Sequence, residues 1–359
     1  MRLGIALRAV ANLSPRQRIF SGIQPTGTLH LGNYFGAVEQ WVREIQSEKQ
    51  CDQAEQRDQR IFSVVDLHAI TLPQDPKILR ENILTMTASL IGCGLDPEKA
   101  VLFQQSHVKE HSELNWILGT LVTLNRLQGL SQFTDKSKKF KEVGADVPVG
   151  LLNYPVLQAA DILLYKATKV PVGEDNKQNL ELARHTASKF NSHYKCQLFP
   201  IPETVVVTEK SSRRIKSLRS PENKMSKSEK DQKSCIYVLD DPDTIRLKIK
   251  KAVTDFTSEV TFEPDKRPGV ANLVCIHSRI TGEDTATICD EYARGMETAR
   301  YKLLLADVII NHFAPIRQKT MDLLQNKDHL EAILKKGSGR AQVIAAQTLD
   351  EVKSVVGLQ

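Results

Sequence analysis

The chain has 359 residues, 41% hydrophobic and 26% charged, which is globular composition with length for one large core and a second, smaller one; its longest apolar run, Tyr301 to Ile310, is broken by Asp307 and falls short of the ~20 residues of a membrane helix, so no membrane association is expected. A formal charge of +6 and a pI near 8.9 are compatible with a polyanionic partner without identifying one. Six scattered cysteines, with no Cys-x-x-Cys pair and no histidine at ligand spacing, argue against a disulfide framework or a structural zinc, and no protein-held metal is expected.

From Met1 to Val38 there is no Asp or Glu, while Arg2, Arg8, Arg16 and Arg18 punctuate apolar and small residues. Residues 1–17 therefore read as a mitochondrial transit peptide, the alternative being a basic tail. Arg18 to Ser21 reads as a short strand, followed by a turn region at Gly22, Pro25 and Gly27. A helix is expected from Gly32 to Ile45, with Tyr34, Ala37, Val38, Trp41 and Ile45 on one stripe. Residues 47–60 are almost wholly polar and read as an exposed extension. Ile61 to Val65 reads as a buried strand, Asp75-Pro76 as a helix start with an N-cap and an N1 proline, and Val101 to Phe103 as another strand. Single strands alternating with helices point to a Rossmann-like parallel α/β domain, 18–231. Ligands of such sheets collect at the carboxyl ends of strands, where Ser21–Asn33 and Asp66–His68 fall.

Beyond Asp240 the pattern is helical, and 232–359 reads as a helical C-terminal domain. Asp241-Pro242 opens a helix with Ile245, Ile249, Ala252 and Val253 inward and Arg246 and Lys250 outward. The last stripe, Ala341, Ile344, Ala345, Leu349 and Val352, is expected to begin only after Gly337 and Gly339.

Four segments carry chemistry. In Gly22-Ile-Gln-Pro-Thr-Gly27-Thr-Leu-His30-Leu31-Gly32-Asn33, a glycine-rich turn runs from a strand into a helix. It can bring backbone N–H groups and the positive end of a helix against a phosphate. Lys224-Met225-Ser226-Lys227-Ser228 sets two lysines and two hydroxyls in one polar loop, suited to polyphosphate charge that shifts as pyrophosphate departs. Taken alone, the first segment reads equally as a turn and the second as a solvated loop. Their joint occurrence resembles the two nucleotide motifs of class I aminoacyl-tRNA synthetases. Tyr154-Pro-Val-Leu-Gln158-Ala-Ala-Asp161-Ile-Leu-Leu-Tyr165 and Val172-Gly173-Glu174-Asp175-Asn176-Lys177-Gln178, with Val65-Asp66-Leu-His68, resemble the tryptophanyl branch.

The resemblance implies a ligase that activates L-tryptophan with ATP and transfers it to tRNA(Trp), working as a homodimer in the mitochondrial matrix. It implies that Asp161 accepts the indole N–H, with Phe20, His68 and Gln132 around the amino acid. Gln24, His30, Leu31, Gly32, Asn33, Gly173, Glu174, Asp175 and Ile215 would bind ATP together with Lys224 to Ser228. His30, Asn33, Lys136, Lys224 and Lys227 would act on the phosphates, with Mg²⁺ carried by ATP, and 232–359 would bind the anticodon. Gln158 stands where many bacterial members have methionine, and Asn176 and Asn179 replace the usual Gln and His. The rival readings are a tyrosyl-tRNA synthetase, a small-molecule adenylyl- or nucleotidyltransferase, and a synthetase-derived tRNA-binding protein without catalysis.

Overall fold

The computed structural model describes residues 17–46, 60–142, 144–171, 173, 176–205, 214–227, 229 and 231–359. The expected leader, apart from Gln17, and the polar extension, apart from Arg60, lie outside them.

Five parallel strands form one sheet in the order β3-β2-β1-β4-β5. β1 is Ile19–Ile23, β2 Arg60–Val64, β3 Val101–Gln104, β4 Lys169–Pro171 and β5 Glu203–Val205. The register runs Ile19↔Arg60 to Ile23↔Val64 and Ile61↔Val101 to Val64↔Gln104, with β4 joining β1 at Ile19↔Lys169. The chain walks outward from β1 through β2 to β3, then returns to the other side of β1 at β4. That reversal leaves a crevice beyond the carboxyl ends of β1 and β4, where ligands of open α/β sheets bind.

Alternation along the strands feeds two cores. Phe62, Val64 and Leu102 point to one face, and Ile61, Val101 and Phe103 to the other. The first face is covered by α1, which begins at Leu31–Asn33, passes through a π turn at Tyr34–Val38 and continues over Glu39–Gln46, and by α2, Pro76–Gly92. Asp75 caps α2 as expected, accepting the N–H of Lys77 and Ile78. The second face carries α3 (Glu110–Gly119), α4 (Leu124–Gln128), α5 (Ser131–Glu142), α6 (Val149–Leu164) and α7 (Lys177–His193). α6 is apolar nearly all round and bears one charge, Asp161.

The helical region consists of α8 (Pro242–Lys250), α9 (Pro268–Thr281), α10 (Thr298–Leu324) and α11 (Lys327–Val356), with shorter turns between them. None of the described helices is long and apolar enough to cross a membrane.

Three expectations need correction. Arg60 is not in an exposed extension but opens β2, and it is buried. Val253 lies past the end of α8 and is exposed, because Lys251 already caps that helix. α11 starts ten residues before Gly337 and runs straight through both glycines.

Close approach explains that last difference. Leu330 and Leu334 pack in the first core and Ala341, Ala345, Leu349 and Val352 in the second, so α11 crosses the β3 edge of the sheet at Gly337. A Cβ on Gly337 would lie 1.8 Å from the carbonyl oxygen of Leu102. Gly339, two residues on, faces open space. Gly337→Ala is therefore expected to cost about 1–3 kcal/mol or more, since backbone must move on both sides. Gly339→Ala is expected to stabilise by ~0.5–1 kcal/mol through helix propensity alone. Urea unfolding of the two variants tests the contrast, and equal behaviour would remove the close-approach explanation.

Candidate functional site

The loop leaving β1 is built around a reciprocal cap. Nδ1 of His30 accepts the Asn33 N–H at 3.2 Å, and Oδ1 of Asn33 accepts the His30 N–H at 3.5 Å. Because Nδ1 accepts, the neutral imidazole carries its proton on Nε2 as a donor. Burial, then the Lys227 and Lys224 charges, push the His30 pKa down to about 4, so the ring is neutral at physiological pH. Gly32 is required here: a Cβ would stand 2.8 Å from Cε1 of the folded-back His30 ring.

Residues 235–238 bring the distant lysine loop to this turn. Leu31 N–H donates to Ile236 O at 3.0 Å and Val238 N–H to Leu29 O at 2.8 Å. Cys235 Sγ donates to Ser226 O at 3.1 Å, and Met225 N–H to Ile215 O at 3.1 Å. Lys227 Nζ thereby reaches Thr26 O at 3.1 Å, across 201 residues of sequence. Burial lowers the Lys227 pKa to about 8, leaving an ammonium that gains by meeting an anion.

A cleft of about 750 Å³ opens over the carboxyl ends of β1 and β4. Lys136, Lys177, Arg214, Lys224 and Arg279 line it, against one carboxylate among the described lining residues, Asp161. Cations thus outnumber carboxylates along the described lining, and no group of three or more His, Cys, Asp or Glu among the described residues is arranged to hold a metal.

Asp161 is 1% exposed. Its Oδ2 lies 2.7 Å from His68 Nε2, and its Oδ1 accepts from Gln105 Nε2 at 2.7 Å and His111 Nδ1 at 2.6 Å. Burial alone would raise its pKa, but the attraction and hydrogen bonds of the two imidazoles outweigh it and hold the carboxyl below its ordinary range. Phe20 stacks on Tyr165 at 5.4 Å beside it. Across the cleft Tyr154 donates its hydroxyl to Gln132 Oε1 at 2.7 Å, with Lys136 Nζ 4.5 Å above the Tyr154 ring. Gln158 Oε1 accepts from Asn179 Nδ2 at 3.0 Å and Asn176 Oδ1 lies 3.4 Å from the same nitrogen, so the three residues that depart from the family pattern contact one another.

The cleft thus brings together Phe20, Gln24, Gly32, Asn33, His68, Gln132, Lys136, Asp161, Gly173, Ile215 and Lys224 from separate parts of the sequence. His30, Ser226 and Lys227 sit just behind its lining. Leu31 and Met225 have buried side chains, and their N–H groups donate to the carbonyls of Ile236 and Ile215. Glu174, Asp175 and Ser228 lie outside the described residues. Sequence reasoning missed Gln105 and His111; the one signal for Gln105 was its place just after the carboxyl end of β3, and no spacing marks His111.

A family model described as tRNA synthetases class I (W and Y) matches residues 13–314. The tryptophan–tRNA ligase of Caldanaerobacter subterraneus subsp. tengcongensis is 43% identical over 342 residues, 95% of this chain and 98% of its own. A mitochondrial tryptophan–tRNA ligase of Caenorhabditis elegans is 42% identical over 94% of this chain and 90% of its own. The tryptophanyl-tRNA synthetase of Campylobacter jejuni, in complex with ADP and tryptophan, matches with TM-score 0.78 and 31% identity over 95% of this chain and 100% of the other.

The neutral His30 ring has a consequence for stability. Below pH ~6.5 the unfolded chain takes up a proton that the folded ring refuses until about pH 4. The His30 contribution is therefore complete above pH ~6.5 and declines on acidification, by about 2 kcal/mol at pH 5. His30→Asn keeps a capping acceptor but does not titrate, so its loss of stability between pH 7 and 5, read by urea unfolding, is expected to be smaller by that amount. An unchanged slope would mean that His30 is protonated in the fold.

Proposed function

The chain belongs to the class I tRNA synthetases of the W and Y group, and from that premise we infer that it activates tryptophan with ATP and transfers it to tRNA. The observation that carries this reading is the buried, ionised Asp161 at one end of a cleft whose other walls are cationic. Indole N–H is a donor only and a carboxylate an acceptor only, so the two match. The tyrosyl and non-catalytic alternatives are not favoured, because tryptophan–tRNA ligases align along nearly the whole chain.

In the first step a tryptophan carboxylate oxygen attacks the α-phosphorus of ATP in line. A new P–O bond forms, the bond to the β-phosphate oxygen breaks, and pyrophosphate leaves. In the second, a terminal ribose hydroxyl of tRNA attacks the adenylate carbonyl, and AMP departs. No protein nucleophile is needed; the work is positioning and electrostatics. Asn33 and the Nε2–H of His30 would donate to phosphate oxygens, and Lys136, Lys224 and Lys227 would meet the departing charge. Mg²⁺ would arrive with ATP. Gln24, Gly32, Gly173, Glu174, Asp175 and Ile215 would surround the nucleotide, with Phe20, His68 and Gln132 around the amino acid.

The assignment of 18–231 to catalysis and 232–359 to anticodon binding belongs to the same proposal. So does a homodimer, favoured by Ile70, Trp116 and Val149, which are all exposed where α3 and the start of α6 meet the turn after His68; a monomer in sedimentation at micromolar concentration would remove it. The mitochondrial matrix is supported by the acid-free leader and by the worm mitochondrial relative. A reporter fused to 1–17 that stays cytosolic would count against it.

ATP–pyrophosphate exchange measured with each of the twenty amino acids tests the activity, and tryptophan alone is expected to support rapid exchange. Lys227→Ala is expected to slow exchange by roughly a hundredfold, the typical loss when one such charge-stabilising donor is removed, with tryptophan affinity nearly unchanged. Equal losses in both would make the lysine structural.

A further inference from the structure

Behind the cleft wall lies a second tier of polar side chains that no loop motif contains. Gln105 follows β3, His111 lies in the first turn of α3, and Tyr165 caps α6; each is 0% exposed. Polar groups this deep are costly unless paired, and every one points towards Asp161 or a neighbour that does. His111 Nδ1 meets Asp161 Oδ1 at 2.6 Å, and His111 Nε2 meets the Tyr165 hydroxyl at 2.8 Å. Gln105 Oε1 accepts the Leu67 N–H at 3.1 Å, which fixes the amide orientation and turns Nε2 onto Asp161 Oδ1. Phe103 stacks on His111 with ring centroids 5.8 Å apart and meets the Tyr165 ring edge-on at 5.8 Å, so the tier is held rigidly from below.

Proton bookkeeping then leaves little choice. A carboxylate has no proton to give, so His111 Nδ1 carries one and donates it. With the Tyr165 hydroxyl donating to Nε2, a ring that carries its proton on Nδ1 satisfies both partners. Two donors therefore fill Oδ1 of Asp161, on the side away from the cleft. Among the described residues Oδ2 receives only His68, which itself lines the cleft, and keeps one acceptor site.

We propose that His111, held in place by Tyr165, is a positioning residue for tryptophan selection: it occupies Oδ1 so that the remaining lone pair on Oδ2 is aimed at the substrate ring N–H. This rests on the reading that Asp161 accepts the indole N–H. His111 does not itself line the cleft, so it acts through the carboxylate. Losing its hydrogen bond allows Asp161 to rotate and offer either oxygen. Recognition of the N–H then loses direction, while packing of the ring against Phe20 is kept by the Phe20–Tyr165 stack.

The probe is tryptophan against 3-benzothienylalanine, in which sulfur replaces the ring N–H, each measured by ATP–pyrophosphate exchange with the full chain. The unaltered protein is expected to prefer tryptophan by tenfold or more in kcat/KM. His111→Leu and Tyr165→Phe should raise the tryptophan KM about tenfold, leave kcat and the ATP KM within about threefold, and barely affect the sulfur analogue, so that the preference collapses. His111→Asn, whose Nδ2 can take the place of Nδ1 against Oδ1, should restore most of it. If His111→Leu does not fold, Tyr165→Phe and His111→Asn carry the test. Parallel losses for both amino acids, with the preference within threefold of its starting value, would reduce His111 to a packing role and overturn the proposal. Asp161→Asn separates the two levels. Should it abolish the preference while the His111 and Tyr165 variants keep it, the Asp161 reading stands and this inference falls. Should it leave the preference intact, both fall.

Discussion

The buried charge of Asp161 organises one end of the cleft. Asp161 sits in an otherwise apolar helix, and a carboxylate taken that far from water is tolerated only when it is paired and hydrogen-bonded. Its partners come from three other places: His68 after β2, Gln105 after β3 and His111 in α3. Meeting the demand of one charge therefore fixes the carboxyl ends of two neighbouring strands relative to α6. Leaving a buried charge of this kind with a partner missing typically costs about 3–5 kcal/mol, comparable to much of a domain's net stability. The same arrangement that satisfies the charge leaves it one acceptor site short of saturation, and that vacancy is what a donor-only ring can use.

The nucleotide end solves a different problem. Here the charges are positive, and the device that keeps them useful is neutrality at the centre. His30 is held uncharged by burial and by Lys227 and Lys224, so it can cap the first turn of α1 through Nδ1 and still donate through Nε2. Lys227 is desolvated without a carboxylate among its described hydrogen-bond partners, being held by the Thr26 backbone. An ammonium in that position is stabilised when phosphate charge arrives beside it and more so as pyrophosphate separates, which is the differential binding that catalysis requires. On the proposed reading, the amino acid and nucleotide ends of the cleft differ in the sign of their charge.

Much of this was legible in the chain because short-range rules governed it. The Asp75-Pro76 helix start, the strand at Ile61 and the glycine-rich turn into α1 each follow from local chemistry, and the two loop motifs identified each other by co-occurring. Where the reading failed, tertiary contact decided. Gly337 looks like a helix boundary by propensity, yet Leu102 requires a residue without a side chain there and packing carries the helix through. Arg60 reads as the end of a polar stretch, but pairing with Ile19 draws it into the sheet. His111 offers no periodicity, spacing or neighbour that separates it from a surface histidine; only the position of Asp161, fifty residues later, gives it meaning.

The path of α11 joins these observations. After crossing β3 at Gly337, its next residue, Ser338, lies with Oγ 3.5 Å from His107 Nδ1, in the same short turn that carries Gln105. Arg340, two residues further, donates to the carbonyls of Pro97 and Ala100 just before β3. The last helix of the chain therefore grips β3 at both ends, and the turn it braces supplies one of the two donors that saturate Asp161 Oδ1. Gln105 has its amide fixed by Leu67, and the turn that carries it meets α11 through His107. On the reading that Asp161 recognises the amino acid, the geometry beneath it is set partly by residues more than two hundred positions from Gln105, brought there because Gly337 lets α11 lie against β3.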